Sequence, residues 1–92
     1  MWVVLRTLEM DHVGVAVKSL DEAIRTFTRL LGLTLRDVTL NPHDKVRIAF
    51  LDAGAASIEL LESTSPEGVV ARFIERRGEG IHHVCFRVVN LE

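Results

Sequence analysis

The sequence predicts an α+β domain in the order β-α-β-β-β, followed by a short helix and one further strand. Three observations carry this reading. Short stretches alternate apolar and polar residues with the period of a strand. A helix-capping signature follows the first of them. The opening stretch also recurs near the end of the chain.

Met10 to Val17 is expected as the first strand, with Val13, Val15 and Val17 on one face and His12, Gly14 and Ala16 on the other. Ser19-Leu20-Asp21-Glu22 then fits a capping box. The Ser19 hydroxyl accepts from the amide three residues on, and Glu22 reaches back to the Ser19 amide. Leu20, Ile24, Phe27 and Leu31 at helical spacing predict a helix, with Gly32 as its left-handed stop. Leu33 to Leu40 reads as the second strand. Asn41-Pro42-His43-Asp44-Lys45 is a polar turn with a proline breaker. Val46 to Leu51 and Ala56 to Leu61 flank a turn at Asp52-Ala53-Gly54-Ala55 and should form a hairpin. Ser65-Pro66-Glu67 opens a short helix through Val70, Phe73 and Ile74, which Gly78 closes, and Ile81 to Val89 is the last strand.

The repeat aligns Asp11-His12-Val13-Gly14-Val15-Ala16-Val17-Lys18-Ser19-Leu20-Asp21 with His82-His83-Val84-Cys85-Phe86-Arg87-Val88-Val89-Asn90-Leu91-Glu92. Each copy has a histidine, an alternating strand, a capping-type residue, a leucine and an acid. Residues 9–80 thus read as one complete module with its following helix, and 81–92 as the first strand of an incomplete second. The last strand has no module of its own to join, which predicts pairing with another chain: a homodimer, with exchanged strands as one form.

Composition narrows the function. The 92 residues are 48% hydrophobic and 26% charged, with a net charge of −2. No basic surplus draws the chain to nucleic acid. With one tryptophan and no tyrosine, an aromatic platform for single strands is not expected. The single cysteine, Cys85, rules out an internal disulfide and a Cys-rich zinc site, and reads as a small core residue. No apolar run approaches the ~20 residues that span a bilayer. The start, Met1-Trp2-Val3-Val4-Leu5-Arg6, lacks the layout of a signal peptide. The expectation is a cytoplasmic protein without membrane or nucleic-acid partners.

Three side chains interrupt the strand patterns. His12 sits beside the small Gly14 and Ala16, and reads either as a core histidine bonded to backbone or as a site residue. Glu59 lies opposite Ile58 and Leu60, either on a solvated face or in a site. His83 is the repeat partner of His12, while His82 is expected to point the other way. Two imidazoles and a carboxylate from three strands make a ligand set for a divalent first-row metal, provided the strands are adjacent: cobalt, manganese, nickel, zinc or iron. Arg76, Arg77 and Lys45 read as solvated cations.

Met10-Asp11-His12-Val13-Gly14-Val15-Ala16-Val17, with Leu20-Asp21-Glu22-Ala23, resembles the opening of the vicinal-oxygen-chelate (glyoxalase/bleomycin-resistance/dioxygenase) superfamily. Val46 to Leu51, Ile58 to Glu62 and Ala71 to Val84, above all Arg77-Gly78-Glu79-Gly80-Ile81-His82-His83, resemble its methylmalonyl-CoA epimerase branch. The resemblance implies paired βαβββ modules of the glyoxalase-like type, curled around a metal. It implies His12, Glu59 and His83 as ligands, with a fourth, a late second-module glutamate, that has no position in these 92 residues. The implied reaction is epimerisation of an acyl-CoA, 2-methylmalonyl-CoA, by removal and return of the C2 proton. Where the branch carries an acid in Pro-Glu-Gln-Gly-Val, this chain has Pro42-His43-Asp44-Lys45-Val46, so His43 and Asp44 are the candidate bases. A glyoxalase I (lactoylglutathione lyase)-like enzyme and a non-catalytic small-molecule-binding module of the same fold are the alternatives.

Overall fold

The computed structural model describes residues 3–91; Met1, Trp2 and Glu92, where the repeat ends, lie outside them. In chain order the elements are β1 (Leu5–Ala16), α1 (Leu20–Arg29), β2 (Thr34–Asn41), β3 (Val46–Ala53), β4 (Ala56–Ser63), α2 (Val69–Arg77) and β5 (Gly80–Asn90). One five-stranded sheet runs β2-β3-β4-β1-β5. β1 is parallel to β4, and the other pairings are antiparallel. The expected α+β order is therefore present. β3 and β4 form the expected hairpin, with Ala53 opposite Ala56.

α1 begins where the capping residues place it. Ser19 is extended, and its hydroxyl accepts from the Glu22 amide at 3.2 Å. The Leu20 amide donates to the Glu62 carboxylate of β4 at 3.0 Å, so an anion faces the positive end of the helix. The helix ends at Arg29, two residues short of Leu31. Leu31, expected on the buried stripe, is consequently exposed, since the backbone has left helical spacing before reaching it.

Each face of the sheet is covered by one helix. Leu20, Ile24 and Phe27 of α1 pack with Val17, Ala49, Leu51 and Leu60. Leu20, Leu51 and Leu60 are fully buried, which stabilises the fold by roughly 1.5–3 kcal/mol each. On the other face, Val70, Phe73 and Ile74 of α2 pack with Ala16, Val46, Ile48 and Leu61. α2 is the shorter helix and covers only the end of its face near Ala16 and Leu61. Val69 and Val70 of α2 line a cavity on that face together with Glu59 and His83.

β5 corrects one expectation. It pairs with β1 of its own chain from Leu5↔Asn90 to Ala16↔Gly80, so it does not need a strand from another molecule. This pairing also extends β1 five residues before Met10, into a stretch with no alternation of its own. The ladder is interrupted where Asp11 is an extra residue on β1 (Met10↔Phe86, His12↔Cys85). It is interrupted again where His82 is an extra residue on β5 (Gly14↔His83, Val15↔Ile81). Both are β-bulges. No helix among the described residues is long and apolar enough to cross a membrane.

Candidate metal centre

β1 lies between β4 and β5, and this order brings the three candidate ligands together. Gly14 is opposite Glu59 on one side and His83 on the other, with His12 two residues away on the same face. One ligand atom from each of His12, Glu59 and His83 lies within 4.8 Å of the others. His12 Nε2 is 3.1 Å from His83 Nε2. His12 Nδ1 is 2.8 Å from Asp11 Oδ2 and 3.2 Å from Glu59 Oε2. The side chains of His12 and Glu59 are 17% and 15% exposed, close enough to solvent for a ligand to reach and sheltered enough to be held.

Gly14 makes the approach possible. A Cβ built there would stand 2.2 Å from His83 Cε1 and 2.7 Å from both ring nitrogens. The His83 ring therefore lies across the bare backbone of Gly14. The small residue beside His12 supplies the space a site needs, and the imidazole of the second copy fills it.

Electrostatics favour neutral imidazole at His83. Burial pushes its pKa below the ordinary value, and the neighbouring His12 and His82 push the same way, with Glu59 opposing. A neutral ring has a lone pair to offer. The Asp11 carboxylate, which can only accept, calls for a proton on His12 Nδ1, and in the neutral ring this leaves Nε2 bare toward His83. Two nitrogens 3.1 Å apart match ligands about 2.1 Å from one ion at close to a right angle. Two imidazoles and a carboxylate suit a divalent first-row cation, and the residues present fit one.

A cavity of about 330 Å³ adjoins the cluster. Asp44, Ile48, Glu59, Val70, His82 and His83 are among the residues that line it. Of the two candidate bases in the turn after β2, Asp44 reaches this cavity. His43 is exposed and does not line it. The turn is set by Asn41, whose side chain accepts from the Asp44 amide at 3.0 Å and donates to its carboxylate at 3.1 Å. Lys45 closes the turn in a left-handed conformation.

Two placements differ from expectation. His82 does not point away. The bulge turns it to the side of His83, with Nδ1 3.0 Å from His83 Nδ1 and its ring edge-on to Phe73 of α2 at 4.9 Å. Cys85 is half-buried and not in the core; it lies opposite His12, and its sulfur groups with Asp11 and His12. Asp11 carries no signal of its own in the sequence beyond the repeat, which aligns it with His82. Arg76, Arg77 and Lys45 are exposed, as solvated cations should be.

The family model described as the Glyoxalase/Bleomycin resistance protein/Dioxygenase superfamily matches residues 11–92. An uncharacterised protein of Bacillus subtilis, YqjC, is 35% identical over 77 residues, which is 84% of this chain and 55% of that one. The crystal structure of methylmalonyl-CoA epimerase from Mycobacterium tuberculosis superposes with a TM-score of 0.84 at 36% identity, covering 92% of this chain and 58% of that one. A variant of Streptomyces coelicolor methylmalonyl-CoA epimerase in complex with 2-nitronate-propionyl-CoA gives 0.83 at 29% identity, covering 88% and 62%. The chain spans about half the length of the curated relatives it matches.

Proposed function

The chain belongs to the glyoxalase/bleomycin resistance/dioxygenase superfamily, and from that membership we propose that it acts on an acyl-CoA, exchanging the C2 proton of 2-methylmalonyl-CoA, with a divalent metal held by His12, Glu59 and His83. The observation that carries this reading is the convergence of those three side chains at a cavity that Asp44 also lines. A divalent cation supplies stabilisation of the negative charge that collects on the thioester oxygen when C2 loses its proton.

The remaining work falls to the chain's own residues. His12, Glu59 and His83 hold the ion from three strands, so its position is fixed by the sheet and not by a loop. Ile48, Leu61 and Val70 give the cavity an apolar wall that excludes water from one side of the substrate. Asp44 takes the C2 proton and returns it. One base suffices for exchange with solvent, and Asp44 is the acid that the turn brings to the cavity. A second copy of the chain belongs to this reading: Ile81, Phe86 and Val88 of β5 are exposed large apolar side chains that a partner would cover.

Loss of the C2 proton signal of methylmalonyl-CoA in D₂O, followed by NMR with and without cobalt(II), tests the reading. Exchange that requires both protein and cobalt, and that His12→Ala abolishes together with cobalt binding, is the expected result. Folded, cobalt-loaded protein that leaves the C2 proton in place would overturn the catalytic reading in favour of a binding module.

A further inference from the structure

Resting on the metal centre just described, we propose that His82 is a positioning residue that accepts the Nδ1–H of His83 and so holds that ring in the tautomer whose Nε2 is bare toward the metal. Residue order in a regular strand would put His82 on the opposite face from His83. The bulge at His82 removes that alternation, and its Nδ1 comes to 3.0 Å from His83 Nδ1. Phe73 stands edge-on to His82 at 4.9 Å and limits the swing of its ring. A hydrogen bond between two Nδ1 atoms has one donor. If His82 donated, His83 would carry its proton on Nε2, facing His12 Nε2 at 3.1 Å, and would offer a metal nothing. If His82 accepts, both histidines present lone pairs to one point.

The first copy of the repeat has the same device built from a different residue. Asp11, which aligns with His82, is likewise the extra residue of a bulge, and its carboxylate is 2.8 Å from His12 Nδ1. In each copy, then, the residue before the histidine is turned to the histidine's side and meets its Nδ1. Outer partners of this kind orient metal-binding rings and set which nitrogen is free. The pair is unequal, because a carboxylate backs His12 and an imidazole backs His83.

Cobalt(II) titration of the full chain tests this, using His82→Phe, which keeps a ring against Phe73 but cannot accept, and His82→Asn, whose Oδ1 takes the place of Nδ1. His82→Phe should weaken cobalt binding by roughly 10- to 100-fold, and His82→Asn should recover most of the loss. Nitrogen-15 NMR of the zinc-loaded wild type should show the His83 proton on Nδ1. A His82→Phe protein that binds cobalt like the wild type, equal weakening by Phe and Asn, or a His83 proton found on Nε2 would each overturn the role of His82. Wild-type protein that takes up no ion would overturn the metal centre itself and this inference with it.

Discussion

Substituting Gly14 by alanine is the sharpest perturbation of the centre that changes none of its ligands. The glycine backbone is not left-handed, so an alanine there meets no conformational penalty of its own. The cost is steric. The new methyl would lie 2.2 Å from His83 Cε1, and ordinary contact begins near 3.4 Å, so the ring must retreat by about 1.2 Å. Retreat would pull it away from His12, 3.1 Å from one ring nitrogen, and from His82, 3.0 Å from the other. Overpacking of this kind costs about 1–3 kcal/mol. In a domain of this size each kcal/mol lowers the melting temperature by roughly 4–8 °C. Displacement of one ligand should also weaken cobalt binding. Thermal melts and cobalt titrations of Gly14→Ala, His83→Ala and the double variant form a cycle. With the ring removed, the alanine should cost almost nothing. A Gly14→Ala protein with wild-type melting and wild-type cobalt affinity would refute the reasoning. So would a destabilisation that persists in the His83→Ala background, since the ring would then not be what the methyl meets.

Asp44→Asn should abolish C2 exchange while leaving cobalt affinity intact, whereas His43→Gln should leave exchange unchanged, and the D₂O assay separates the two. The stability of the metal-free protein should fall as pH drops below the ordinary imidazole value of 6.5, because the unfolded chain takes up a proton that the folded state, with His83 held below that value, resists. Above 6.5 His83 contributes no slope, and urea melts across the range should flatten in His83→Gln. Ser19→Ala removes the acceptor for the Glu22 amide and should cost about 1 kcal/mol in a urea melt, with cobalt affinity unchanged.

Features that depend on neighbours in the sequence were legible in it. Ser19 begins α1, and Gly78 closes α2 with φ 78°, because caps and stops are local chemistry. The alternation in β3 separates Val46 and Ile48 from Ala49 and Leu51, and the two helices cover those two sets separately. The grouping of His12, Glu59 and His83 came within reach because the repeat marks equivalent positions on two strands. What was hidden depends on register between distant strands. Nothing in Leu5 to Glu9 reads as a strand until β5 lies beside it. His82 reads as facing away because alternation is the default, and the bulge that reverses it exists only in the pairing with β1. Asp11 is hidden for the same reason, since its bulge too exists only in the pairing with β5. Leu31 kept helical spacing on paper, but the helix ended before it.

The position of β1 in the middle of the sheet has a kinetic consequence. β2, β3 and β4 follow one another through tight turns and can zip together early. β1 must wait for partners far along the chain, from Ser57 opposite His12 to Asn90 opposite Leu5. Closing such long loops is slow, because chain entropy is lost before contacts repay it. This topology predicts that the strands that carry the three ligands meet last and that the centre forms late in folding. An ion that recognises only the assembled trio would leave the rate of folding unchanged and lengthen the lifetime of the folded state.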